Sequence, residues 1–390
     1  MYAVEILPKC LSKAFVPMHA SRAQSLLGAV SALLSGRRLT LMGLARSYPD
    51  ASRVRAPLKR LDRLLGNEHL EAEQHLLYEA MSRWLLSTAQ PVIAIDWSPL
   101  DGHDRFQLLR AGVVLEGRTL TLLQEVHPTA LLGNRKIERA FLAQLKHLMP
   151  EGVSPIILTD AGFRTPWFAA VRALGWDYIG RLRGSINIRF ANETARQKLS
   201  AILAATPGKP ESLGTVELKL RRPWQCQMVR CREPNKGRKL LTKRGIASRA
   251  GRSRKAQRRS SEPCVLVTSI TCAPYQIVNC YRQRMQIEES FPDLKSERYG
   301  VGFELSLTRG QARIAILLLI HALATLVAYL VAISVNDRQL NVIVGGVVSK
   351  RRHYSQLWLG WQLLCAHRLP IPPLPVLLDA LRSIRPYSIA

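Results

Sequence analysis

Residues 314–334 read IAILLLIHALATLVAYLVAIS, without a single charged side chain. As a helix this run is long enough to cross a bilayer. A helix apolar all round must be covered all round, by lipid or by protein. His321 sits mid-run, alanines are numerous and no second such span occurs elsewhere. We therefore expect a helix buried against a sheet rather than in a membrane. The chain must then supply strands and further helices to cover it, and 390 residues suffice for two or three domains with real cores.

Two short apolar runs supply candidate strands. PVIAIDWSP (91–99) runs into Asp96, and SPIILTDAGF (154–163) runs into Asp160. Each is β-branched, bounded by Pro or Gly, and reads as a buried strand ending in a carboxylate. Either aspartate alone is equally at home as a turn or N-cap residue. RFQLLRAGVVLEG (105–117) and RTLTLLQEVH (118–127) read as a hairpin turning at Gly117, followed by an amphipathic helix at 135–149. A helix at 165–174 and a strand at 176–184 follow the Asp160 run.

Residues 281–295, YRQRMQIEESFPDLK, read as one helix. At 100° per residue, Tyr281, Arg284, Glu288 and Lys295 fall within about 60° of arc. Ile287, Phe291 and Leu294 flank them on one side, Val278 and Met285 on the other. Charge on a half-apolar face is costly without a partner or ligand. A carboxylate bracketed by cations there suits a site for metal and phosphate together. Intra-helical pairing, Arg284 with Glu288, accounts for the same pattern.

The formal net charge is +28 and the sequence pI about 10.6. That excess points to a polyanionic partner, nucleic acid or an anionic membrane surface, and its spread over most segments favours nucleic acid. Residues 1–90 read as short helices, at 21–34 (stopped by Gly36), 40–48, 58–65 and 68–86. The third carries Lys59, Arg60 and Arg63, with Arg53 and Arg55 just before it, as a DNA-binding bundle would. A run without acids, from Lys236 to Arg259, reads as a loop that contacts DNA backbone and loses affinity as salt rises. Seven cysteines without C-x-x-C give neither a zinc pattern nor a disulfide framework, as in a reduced cytoplasm. The start, MYAVEILPKC, lacks the pattern of a signal peptide.

The spacing Tyr-x2-Arg-x3-Glu-x6-Lys, with the two upstream aspartates, resembles the signature of bacterial cut-and-paste insertion-sequence transposases of the insertion-sequence-four family, and the resemblance covers nearly the whole chain. It implies an α/β fold, an RNase H-like core with a mixed five-stranded sheet and helices. A β-rich insertion interrupts that core, and an all-helical DNA-binding domain precedes it. The implied parts are 1–90 (helical DNA-binding), 91–184 (core, first part), 185–263 (basic β-rich insertion), 264–334 (core, second part) and 335–390 (subunit contacts). In such a core, strands one and four are neighbours. Asp96, Asp160 and Glu288 become the catalytic carboxylates for two Mg²⁺ ions, with Mn²⁺ as substitute.

By the same resemblance, Tyr281, Arg284, Lys295, Arg181 and Arg183 contact DNA phosphates near the scissile bond. KRLDRLLGNEHL (59–70) is similar to the terminal-sequence-binding region. The reaction is strand cleavage, hairpin formation and transfer into target DNA, by a homodimer in the synaptic complex, nucleoid-associated and without a small-molecule substrate. Two departures point to the alternative of a catalytically impaired or repurposed DNA binder. Cys264 stands where the family has a Trp that stacks on a flipped base, a contact worth ~1–3 kcal/mol, with Trp224 as a candidate replacement. Pro292 stands inside the signature helix, where a kink could displace Lys295.

Overall fold

In the computed structural model the apolar run forms one helix, Gln311–Ile333. It is long and apolar enough to cross a membrane, but 94% of its most apolar window is buried inside the protein. It packs against the strand Thr119–Pro128 and against the helices Ala20–Gly36, Glu68–Leu85 and Gln356–Ala366. The crossing with Gln356–Ala366 depends on Gly360, where an added Cβ would stand 1.8 Å from the Ala328 carbonyl oxygen. Only a residue without a side chain lets the two backbones approach so closely.

The structure describes residues 2–49, 53–100, 105–191, 193–204, 208–218, 223–232, 246, 251, 263–335, 354–366 and 370–389. The basic run at 236–259 lies outside the described residues except for Ile246 and Gly251. The chain divides into two compact units. One is Met1–Pro155 with Met285–Ser388, and the other is Ile156–Arg284 with Ile389–Ala390.

In the first unit, the N-terminal segment is helical, with helices Ala20–Gly36, Leu41–Arg46, Arg55–Leu65 and Glu68–Leu85. Side chains cap three of them: His19 Nδ1 accepts the Ser21 N–H at 3.3 Å at the start of the first. Thr40 Oγ1 accepts the Gly43 N–H at 3.0 Å and Asn67 Oδ1 accepts that of Leu70 at 2.9 Å, satisfying donors that the first turn leaves open. The first helix ends at Gly36, as expected, and it is Arg37 that takes the left-handed cap conformation, at φ 50°.

Strands β1 (Val92–Pro99), β2 (Phe106–Val114) and β3 (Thr119–Pro128) form an antiparallel sheet in the order β3-β2-β1. Gly117, at φ 82°, makes the turn between β2 and β3, a conformation open to glycine. The strand reading of 91–99 needs one correction. Asp96 does not end β1 but lies within it, and pairing with β2 continues through Pro99. The main-chain ladder carries the strand past the point where apolar side chains stop. After the helix Leu374–Ser383, the tail returns to this sheet: Val92 N–H donates to the Tyr387 carbonyl at 2.9 Å and Tyr387 N–H to that of Val114 at 2.8 Å.

In the second unit, β4 (Ile156–Thr159) and β5 (Asp177–Leu182) are parallel, joined by the helix Thr165–Ala173. Then come β6 (Asn187–Phe190), β7 (Arg196–Lys198), β8 (Glu211–Leu218), β9 (Trp224–Cys231) and β10 (Cys264–Thr268). Their order is β4-β5-β10-β9-β8-β6-β7. The strands of the insertion are therefore not a separate layer. β10 pairs with β5 on one side and β9 on the other, both antiparallel, so the insertion extends the sheet. Glu217 of β8 holds Arg189 and Arg196, tying β6, β7 and β8 together.

Candidate active site

The stretch 281–295 is not one helix. The helix Pro274–Arg282 ends, Gln283 and Arg284 form a turn, and a second helix runs Met285–Lys295. At the junction Gln283 N–H bonds to the Cys280 carbonyl and Arg284 N–H to that of Tyr281, each at 3.0 Å. These are i to i−3 bonds, the tighter closure of a helix end. The single-face argument therefore fails in its geometry. Tyr281 and Arg284 belong to the second unit, Glu288 and Lys295 to the first. No Gly or Pro marks residues 283–284, so local chemistry carried no warning.

Within the first unit, the helix Met285–Lys295 packs against β1, β2 and β3. It presents Glu288, half-buried, and Lys295 at its last residue. Lys295 Nζ donates to Ser98 Oγ at 2.9 Å and to the Pro99 carbonyl at 3.0 Å, so it reaches the strand that carries Asp96. Burial lowers the Lys295 pKa, with Glu304 acting against that shift. Pro292 is exposed and the helix runs through it to Lys295. Asp96 is 8% exposed; its Oδ1 accepts the Trp97 N–H at 2.8 Å. The helix is also held by Arg118 Nε, which donates to Asp293 Oδ2 at 2.7 Å.

Within the second unit, Asp160 immediately follows β4, as expected. Its Oδ1 accepts the Gly162 N–H at 2.8 Å, and among the described residues the structure gives Oδ2 no protein donor. Tyr281 is half-buried, and its buried hydroxyl has no hydrogen-bond partner among the described residues. The Arg284 guanidinium, itself 9% exposed, lies 5.6 Å from the Tyr281 ring centre. Burial pushes the Tyr281 pKa up strongly. The charges of Arg284 and Arg181 oppose that shift, and Cys264 and Asp160 add to it. Tyr281, Arg284, Arg181 and Asp160 therefore share one electrostatic environment. Arg181 lies in β5, and Arg183 just beyond its end is exposed.

Cys264 is buried, in register directly opposite Cys231 on β9. Trp224 begins that strand, seven residues from Cys231 and thus roughly 23 Å along it at strand rise. Its indole N–H is committed to the Tyr178 hydroxyl at 3.0 Å. Trp224 thus stands well away from Cys264.

Lys59, Arg60 and Arg63 are exposed on the helix Arg55–Leu65. With Ser21, Ser25 and Asn67 they line a groove of about 510 Å³. Arg60 lies over the Tyr48 ring at 5.6 Å. Arg22, on the same groove, is held by Glu73 through Nε at 2.8 Å. Sequence reasoning passed over Arg110, in the middle of β2 and 1% exposed. A lone cation in the apolar stretch LLRAGVV was the available signal.

Asp96, Asp160 and Glu288 offer only carboxylate oxygens, the donor type that hard divalent cations take. Asp160, with one oxygen held by a backbone N–H and the other without a protein donor, fits that use. Among the described residues no group of three or more His, Cys, Asp and Glu side chains is gathered as a metal site.

A model of the transposase DDE domain matches residues 87–327. No curated protein matches the chain. The match takes in Asp96, Asp160, Tyr281, Arg284, Glu288 and Lys295 and spans more than half of the chain, which therefore belongs to the transposase DDE domain family.

Proposed function

We propose that this DDE transposase is the cut-and-paste enzyme of an insertion sequence, of the insertion-sequence-four type. It binds the element's terminal repeats and cleaves DNA with Asp96, Asp160 and Glu288 as its catalytic carboxylates. The observation that carries the reading is the Lys295 anchorage on the Asp96 strand, which accounts for a lysine seven residues after Glu288. Two Mg²⁺ ions, or Mn²⁺, held by the three carboxylates would polarise the phosphodiester and activate the attacking oxygen.

The chain's own residues do the rest by positioning. Lys295, Arg284 and Tyr281 hold the phosphates beside the scissile bond, and Arg181 and Arg183 extend that contact. The Tyr281 hydroxyl, which lacks a protein partner among the described residues, suits a phosphate oxygen. The N-terminal helices form the end-binding domain. Its groove at Lys59, Arg60 and Arg63 follows the DNA backbone, whose anionic charge dominates such affinity. The strands β6 to β9 grip the element end, the C-terminal helices make subunit contacts, and the active form is a homodimer in the nucleoid.

The test uses a DNA fragment carrying the terminal repeats that flank the gene, incubated with Mg²⁺ or Mn²⁺ and run on native and denaturing gels. Cleavage by the wild type, and retention without cleavage by Asp96→Ala, is the expected result. Full activity in Asp96→Ala sinks the assignment. Hairpin-ended products support the full cut-and-paste route.

A second reading rests on Cys264. A buried thiol occupies that position and Trp224 is committed to Tyr178, so neither residue supplies a ring to hold a flipped base. An impaired enzyme would nick the DNA without forming hairpins, and a relic would bind it without cleavage in either metal.

A further inference from the structure

Arg110 is the one charged residue of β2. In register it stands opposite Asp96 on β1 and opposite Gln124 on β3. Residues directly opposite in an antiparallel ladder project to the same face, so Asp96, Arg110 and Gln124 share one. The helix Met285–Lys295 lies on that face. Arg110 Nη1 donates to Ser290 Oγ at 3.4 Å, and its guanidinium lies 5.6 Å from the Phe291 ring centre. Ser290 and Phe291 follow Glu288 by two and three residues.

The other donors are fixed as well. Nε and Nη2 both reach Gln124 Oε1, at 3.1 and 2.8 Å. The Gln124 amide donates to the Tyr78 hydroxyl at 2.8 Å and to the Leu318 carbonyl at 3.0 Å. That orients its oxygen at Arg110. Among the described residues Arg110 forms no ion pair with a carboxylate, although it is 1% exposed. A buried cation of this kind costs several kcal/mol in desolvation, and an apolar side chain of similar volume is often neutral or stabilising in its place. Stability alone gives no reason to keep it.

We propose that Arg110 is a positioning residue of the catalytic site: from one buried guanidinium it sets the Glu288 helix against the Asp96 strand. This rests on the proposed roles of Asp96 and Glu288. Burial lowers the Arg110 pKa only to about 10, so the charge is present at neutral pH. Tyr78 and the Asp293 carboxylate act against that lowering, and Arg110 is among the charges that depress the pKa of Lys295 and of His321.

The experiment compares the full-length wild type with Arg110→Met, Arg110→Lys and Asp96→Ala. Three quantities are measured: the thermal midpoint, Mn²⁺ binding without DNA by electron paramagnetic resonance, and end cleavage as a function of Mn²⁺ concentration. Arg110→Met is expected to keep or raise the midpoint and to retain DNA. Its cleavage should fall about 10- to 100-fold, with weaker Mn²⁺ binding, the range for partners that orient metal ligands. Arg110→Lys should recover part of the loss, because it restores charge without the fork. If Arg110→Met does not fold, Ser290→Ala carries the test, with lower cleavage expected at an unchanged midpoint.

Wild-type cleavage and Mn²⁺ binding in a folded Arg110→Met or Ser290→Ala protein overturn the inference. So does a loss that only follows unfolding, with Arg110→Lys no better than Arg110→Met. A wild type that neither cleaves nor binds Mn²⁺ differently from Asp96→Ala overturns the site reading itself, and the inference with it.

Discussion

Lys295 donates to Ser98 Oγ at 2.9 Å, which ties the last turn of the Glu288 helix to the strand holding Asp96 two residues away. A side chain assigned to phosphate contact from its spacing thus also has a structural anchor.

Lys295→Met removes that anchor and its charge while keeping most of the side-chain volume. Single-turnover cleavage of end DNA should fall by at least about 10-fold, the scale of losing one positioned electrostatic contact in a site. The thermal midpoint should move by only a few degrees. Unchanged cleavage would make Lys295 a strut and nothing more.

The groove at Lys59, Arg60 and Arg63 predicts a salt signature. Filter binding to end DNA across a series of salt concentrations gives a log–log slope. Each residue that neutralises a phosphate should lower the steepness of that slope by about one when changed to Gln. Of the three, Arg60 also lies over the Tyr48 ring. Slopes identical to wild type in all three variants would leave the groove without a role in DNA binding.

His321 lies inside the apolar helix, fully buried, with Nε2 3.5 Å from Thr325 Oγ1 and no partner for Nδ1 among the described residues. Burial lowers its pKa from the ordinary 6.5 to about 3, and the Arg110 charge adds to the shift. The unfolded chain therefore takes up this proton first as pH falls. Stability is full above the unfolded pKa and declines below it, by up to about 1.4 kcal/mol per pH unit. Urea midpoints measured between pH 7.0 and 5.5, above most carboxylate titration, should fall for wild type. The fall should be smaller for His321→Leu, and equal slopes would refute the assignment.

Gly360→Val places a branched side chain where the Ala328 carbonyl stands 1.8 Å from the Cβ position. Overpacking of this kind costs about 1–3 kcal/mol or more. Chemical denaturation should show the loss at an unchanged m-value. Ala328→Gly in the same protein should not rescue it, because the clash is with backbone.

Much of the fold was legible. The N-terminal helices, the β2–β3 hairpin at Gly117, the β4–helix–β5 unit and the buried helix around His321 all follow local rules: periodicity, caps, turn residues and the need to cover apolar surface. Asp160 at the end of β4 was legible because a short apolar run ends in D-A-G, a turn sequence. The β1 boundary was not, because the ladder to β2 carries the strand through Pro99 whatever the side chains are.

By itself, the sequence determined where most strands and helices lie, though not the break inside 281–295 or the end of β1, and that the long apolar helix needs covering. It also offered carboxylates and cations as candidates for one chemistry. Those properties depend on neighbours a few residues away. Tertiary structure alone decided the turn at Gln283 and Arg284, the placement of β10 between β5 and β9, and the burial of Arg110 between Asp96, Gln124 and Ser290. Each of these depends on pairing register and packing between residues far apart in the chain, where local propensity is a weak guide and burial of the whole decides.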